Sequence, residues 1–320
     1  MKRDSQLVVS GGEVTFEPAD PSATRMPALL VEYDSTPGGP LVGLRVLAGT
    51  VHLKGIRLEL DRHNAQIVMS GVEVQGGQVV LERCQLLARN CSGPTRISTL
   101  SMSSRSGVDS EPALVLKQCY FEGGQQAVYV SGPALVQATA CALGPHSQTF
   151  FHLARENVDD VDRRRSVEIK DCSAFLKEGS AFRIDQGVDA GVRVENCVFS
   201  RPEVVAIGPA LGALVEKGGS EPEGSFRYSG AGNYYHNLAA FWVRPMAMGD
   251  PDVIAHLDGF RQRFGIKDED SVERDLDGGP WREKQPLQLL EDGVPSKAFA
   301  RHSPSRPMFQ SFARSSRIRG

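Results

Sequence analysis

Val192-Arg193-Val194-Glu195-Asn196-Cys197-Val198-Phe199 alternates apolar and polar residues as far as Glu195, then resumes its apolar set at Cys197 and Phe199. Such alternation marks a half-buried strand, and a bend at Asn196 accounts for the change of phase. The phrase has four earlier counterparts: VVLERCQL at 79–86, LVLKQCYF at 114–121, LVQATACAL at 135–143 and VEIKDCSAF at 167–175. All five carry a cysteine in one slot, at Cys84, Cys119, Cys141, Cys172 and Cys197, and VHLKGIRL at 51–58 reads as an earlier copy with Gly55 in that slot. From Gly55 onward the slots are 29, 35, 22, 31 and 25 residues apart. A strand recurring at this period belongs to a solenoid, whose units bury their apolar faces only against their neighbours.

A second series keeps step with the first. Val68, Ile97, Val128, Phe151, Phe182 and Val205 mark apolar stretches separated by 29, 31, 23, 31 and 23 residues. Each repeat therefore reads as two strands, punctuated by Ser70-Gly71, Gly123-Gly124, Ser131-Gly132-Pro133, Gly187 and Gly191. Residues 6–16, 28–33 and 41–60 read as strands of the first coils, and a terminal cap is expected because open edges invite pairing. Phe226–Gly230 and the segment through Val243 read as the last coil. The expected domains are a parallel β-helix over 1–243, a capping extension over 244–300 and a disordered basic tail over 301–320. Apolar spacing predicts a short helix over 252–264, capped by Asp252 and ended by Gly265.

Stacked coils lie about 4.8 Å apart, whereas a disulfide needs Cβ atoms about 3.8 Å apart. The five slot cysteines are therefore expected as an inward thiol ladder of small apolar fillers. Cys91 stands apart in a turn, as a free thiol. No CxxC pair or histidine at ligand spacing accompanies the cysteines, so no metal is expected.

The pattern over 41–300 resembles the pectate-lyase-like superfamily of right-handed parallel β-helix proteins. Gly232-Asn233-Tyr234-Tyr235, Leu257-Asp258-Gly259-Phe260-Arg261, Gly265-Ile266-Lys267-Asp268-Glu269-Asp270-Ser271, Pro280-Trp281 and Pro295-Ser296-Lys297-Ala298-Phe299 look like the exit segment of bacterial members of uncharacterised function. The resemblance implies an all-β solenoid of about eight coils. That scaffold hosts lyases, hydrolases, epimerases, adhesins and proteins without known activity, so it does not choose a function. The GHG and RIK motifs of polygalacturonase-like members are missing, as is the DPH motif of alginate epimerases. Glu82, Lys117, Lys170, Asp171 and Glu195 at exposed strand positions are of mixed sign and do not read as a calcium cage. No residue carries over as catalytic.

The 320 residues have a net charge of −3, 40% apolar and 7% aromatic residues. Neither nucleic acid nor membrane is expected as a partner: charge is near balance and no 18-residue apolar run occurs. The opening MKRDSQLVVSGGEVTF lacks the apolar core of a signal peptide, so the expectation is a cytoplasmic monomer or a chain lacking its natural start.

Connectors between the paired strands alternate in length, short at 71–77 and 131–133, medium at 185–190 and long at 102–112, 154–165 and 208–224. Long loops on every second coil would wall a cleft for an extended polymer. Asp159, Asp160, Asp162, Arg163, Arg164 and Arg165, with Arg105 on the other loop, are the candidate ligand-binding residues. Paired carboxylates beside arginines suit acid–base work on an acidic sugar, and the plainer reading is a solvated, self-paired turn. Tyr234-Tyr235-His236 and Trp242 either stack sugar rings or cover the last coil. His52, His63, His146 and His152 show no partner spacing, and His152, in an apolar strand, reads as a satisfied core histidine. The leading expectation is a non-catalytic scaffold or carbohydrate-recognition module within a larger protein, with polysaccharide or another protein domain as partner and no cofactor. The alternative is a polysaccharide lyase or glycoside hydrolase acting between loops 102–112 and 154–165, with calcium under the lyase version.

Overall fold

A computed structural model describes residues 7–20, 26–32, 40–61, 67–90, 95–103, 111–155, 165–176, 179–201, 212–219, 226–246, 249–266 and 268–273. They form an all-β structure dominated by long parallel sheets, an arrangement consistent with a β-solenoid.

Each rung contributes three strands rather than the two expected. The first ladder leaves the front half of Leu41–Lys54 and runs through Met69–Val74, Ile97–Ser103, Gln126–Ser131, Thr149–Ala154, Ser180–Ile184 and Ala213–Lys217 to Ala240–Arg244. The second leaves the rear half of Leu41–Lys54 and runs through Gln78–Glu82, Ala113–Lys117, Ala134–Thr139, Arg165–Lys170, Ala190–Glu195 and Phe226–Ala231 to Asp268–Glu269. The third is a separate nine-stranded sheet that begins at Ala28–Glu32 and Arg57–Asp61 and ends at Tyr234–His236 and Val272–Glu273.

The cysteine phrase is thus two strands that meet at a bend. The bend residue precedes the cysteine and is Arg83, Gln118, Ala140, Asp171 or Asn196, all with φ between 52° and 56°. This left-handed conformation turns the chain from the second ladder into the third. Each bend N–H still donates to the next rung, as from Ala140 to the Lys170 carbonyl at 3.0 Å. Register corrects the earliest copy by one position. Lys54 lies beside Glu82 and Arg57 beside Gln85, so Gly55, at φ 60°, is the bend and Ile56 occupies the cysteine slot. At the other end Gly232 and Asp270 are the bends, and Asn233 and Ser271 take the slot.

Two further readings shift. Val205 lies outside the described residues, and the strand beside Ser180–Ile184 is Ala213–Lys217, within the stretch expected as a long turn. The helix spans Leu257–Phe264 with His256 at its N-cap and Gly265, at φ 59°, at its end. Asp252, expected to cap it, belongs instead to Asp252–Ile254, antiparallel to Ala240–Arg244. Parallel pairing also continues beyond Val243 into Asp268–Glu269 and Val272–Glu273.

Inward side chains fill the tube. Leu81, Leu116, Val136, Val194, Phe151 and Phe182 are each fully buried. Like residues stack rung on rung: Phe151 lies on Phe182 at 5.6 Å and Phe199 on Tyr235 at 5.7 Å, both pairs inclined by 16°. A buried side chain of this size contributes about 2–3 kcal/mol. At the C-terminal end the helix seats Phe260 against Tyr228 and Phe264 against Trp242.

Candidate functional site

Strand alternation sends one residue per rung outward. On the first ladder this makes a row in register: Arg45, Glu73, Ser101, Tyr129, His152, Arg183 and Glu216. The flanking Val128 and Val130, or Phe151 and Leu153, point into the core. Along the row Arg45 pairs with Glu73, and the Arg183 Nε lies 3.9 Å from both Asp185 and Glu216. The guanidinium of Arg96 sits 3.9 Å from the Tyr129 ring centroid.

Within this row His152 has the chemistry most suggestive of a reaction. Its Nε2 is 2.9 Å from Asp185 Oδ1, and its Nδ1 is 2.9 Å from Gln126 Nε2. Its ring meets Tyr129 edge to face at 5.2 Å. Asp185 is held below the usual carboxylate range: burial pushes it up, but the His152 imidazole, the Arg155 amide and Arg183 outweigh that. An ionised Asp185 needs a donor, so His152 Nε2–H donates to it and Nδ1 accepts from the Gln126 amide. Both ring nitrogens are therefore engaged. A general base needs a free lone pair within reach of the substrate proton, and Gln126 occupies it. Sequence reasoning missed this pair because its members lie 33 positions apart and meet only through the stacking of rungs.

The thiol column is also hydrogen-bonded. The Sγ–H of Cys84 donates to the Leu53 carbonyl of the rung before at 3.2 Å, whereas those of Cys119, Cys141, Cys172 and Cys197 donate to the carbonyl two residues back, at Lys117, Thr139, Lys170 and Glu195. The sulfurs of Cys172 and Cys197 accept the backbone N–H of Cys141 and Cys172. Burial pushes the thiols of Cys119, Cys141, Cys172 and Cys197 up, which keeps them neutral. The apolar-filler reading is thus too narrow: all five thiols donate, and those of Cys172 and Cys197 also accept. All five are free thiols. Cys91 lies outside the described residues.

The candidate ligand residues Asp159, Asp160, Asp162, Arg163, Arg164 and Arg105 lie outside the described residues. Arg165 is described: it opens Arg165–Lys170 beside Ala134 and Ala190, and at 1% exposure its guanidinium is inside the protein rather than on a loop. Tyr234, Tyr235, His236 and Trp242 are all buried, so they cover the last rungs and offer no face to a sugar. His52 pairs with Glu13 at 3.2 Å. His146 donates Nδ1–H to the Gly144 carbonyl at 2.8 Å, and burial pulls its pKa down to about 4. Among the described residues no group of three or more His, Cys, Asp and Glu side chains could hold a metal ion.

No family model, curated protein or solved structure matches this chain.

Proposed function

We propose that this chain is a non-catalytic scaffold, a right-handed parallel β-helix of the pectate-lyase-like type with about eight coils. Right-handed winding follows the general preference of parallel crossovers. The observation that carries the non-catalytic reading is the engagement of His152. Its two ring nitrogens are taken by Asp185 and Gln126, so the best-placed acid–base group serves to tie three rungs together. Scaffolding is favoured over sugar recognition because the aromatic faces that would stack on a sugar ring, at Tyr234, Tyr235 and Trp242, are buried.

A screen of acidic polysaccharides for ultraviolet-absorbing unsaturated product, and for new reducing ends, with and without calcium, tests the reading. No turnover on any polymer is the expected result. Turnover that Asp160→Ala or Arg164→Ala abolishes would establish the lyase or hydrolase alternative in the loops 102–112 and 154–165.

A further inference from the structure

The large apolar side chains exposed among the described residues sit only at the two ends of the stack. Leu7, Val8, Met26 and Leu30 lie at the N-terminal end; Met246, Val253 and Val272 lie at the other. The ends are finished differently. Beyond Ala240–Arg244 the chain adds the antiparallel strand Asp252–Ile254 and the helix. At the N-terminal end Leu7–Phe16 pairs with Leu41–Lys54 and Ala28–Glu32 pairs with Arg57–Asp61, and no described strand covers their outer edges. Edges left open in natural sheets are usually blunted with lysine or proline. Leu7–Phe16 has neither, and its single charge, Glu13, is paired with His52.

We propose that this N-terminal rung docks a second copy of the same chain, end to end, about a two-fold axis. The rung has three sides. Leu7–Phe16 supplies two of them, turning at Gly11-Gly12, where Gly12, at φ +74°, stacks in a corner with Gly49 and Gly77. Ala28–Glu32 supplies the third. A single extended peptide from another protein would cover one side and leave two open. A second copy presents all three in the same outline.

A two-fold axis through the Gly11-Gly12 corner and through Leu30 satisfies every side at once. It lays residues 7–10 antiparallel to residues 13–16 of the second copy, with Leu7 facing Phe16 and Val9 facing Val14. It lays Ala28–Glu32 antiparallel to its own image about Leu30. Glu13 then faces Ser10 and Glu32 faces Ala28, so no like charges meet. The corner has room, since a Cβ built on Gly11 or Gly12 would meet nothing within 4 Å. The described rung, 7–20 with 26–32, offers about the 20–30 residues a side of a standard interface. Such an isologous contact closes at two copies. It replaces the monomer expected from the sequence, and it does not depend on whether the chain is catalytic.

Sedimentation velocity of the full chain across a concentration series tests the proposal. A reversible dimer is expected below about 100 µM, a range typical of moderate affinities. Leu30→Lys sets like charges face to face on the axis and Val8→Lys sets a charge against Thr15 of the second copy, and the pair is expected to weaken the dimer by about 100-fold or more. Circular dichroism and thermal unfolding of the monomer should stay unchanged, because both positions are exposed. Val253→Lys, at the capped end, should leave the dimer intact. A monomer at every concentration overturns the proposal. So does a dimer lost with Val253→Lys but kept with the N-terminal pair, or an assembly that grows beyond two.

Discussion

The backbone N–H of Cys197 donates to Oδ1 of Asn233 at 2.9 Å. One and two rungs earlier the same N–H, from Cys172 and from Cys141, donates to the sulfur of the next cysteine. One rung later the N–H of Asn233 donates to Ser271 Oγ at 2.8 Å. Cysteine, asparagine and serine thus do one job in one slot: each accepts the N–H left over beside the left-handed bend. Asn233 also donates to the Val194 carbonyl of the rung before at 3.0 Å, as Cys84 does to that of Leu53 at 3.2 Å, while the other thiols donate to the carbonyl two residues back. A buried N–H without a partner is costly, which explains why short polar or thiol side chains recur there.

Cys172→Ala removes the acceptor of the Cys141 N–H and should cost about 2–3 kcal/mol in denaturant unfolding. Cys172→Ser keeps both bonds and should cost clearly less. If alanine proves as stable as serine, the sulfur acts only by its volume and the hydrogen-bonding account fails.

Ala140 bends the chain at φ 53°, a conformation that costs a residue with a Cβ about 1–2 kcal/mol. Part of that is returned to the unfolded chain's freedom when glycine replaces it. Ala140→Gly is therefore expected to stabilise by about 0.5–1 kcal/mol and to raise Tm by about 2 °C in a calorimetric scan. A fall in Tm would show that the bend is not under strain.

His146 is buried against Phe150 and keeps its proton-free form down to about pH 4. Above the unfolded-state value of about 6.5 both states are neutral and its contribution is complete. As pH falls from there, only the unfolded chain takes up the proton, so stability drops by up to about 3 kcal/mol and levels off below pH 4. His146→Gln should flatten this part of a stability-versus-pH curve. An unchanged slope would place the titration elsewhere.

Asp185 titrates lower still. Its folded carboxyl is held below the usual range by His152, the Arg155 amide and Arg183, against burial. Its stabilisation is present above the unfolded value of about 3.9 and lost as pH falls further toward the folded value. Asp185→Asn should therefore destabilise at neutral pH and approach the parent protein at the most acid end of a urea-melt series. A constant gap at all pH values would separate the effect from charge.

Much of the architecture is legible in the chain because strand alternation and repeat period are local signals. The run from Val192 to Glu195 declares which side chains face inward, and the recurrence of its cysteine declares a stack. Finer assignments fail where a single residue changes phase. Gly55 resembles the cysteine slot when strings are aligned, yet register makes it the bend and Ile56 its successor. The extra strand per rung was hidden for the same reason: a left-handed residue such as Arg83 or Gln118 has no sequence signature comparable to glycine's. Ala213–Lys217 reads as part of a loop because the unequal connectors carry no register information.

By itself, then, the sequence determined the repeat, the inward set and the cysteine column, since alternation within a strand and recurrence along the chain are both carried by residue order. Tertiary structure alone decided which groups meet across rungs: His152 with Asp185 and Gln126, Cys197 with Asn233, and the unlike treatment of the two ends. Those partners lie 26 to 36 residues apart. Connectors of unequal length separate them, so only the stacked backbone hydrogen bonds set which atoms come within 3 Å.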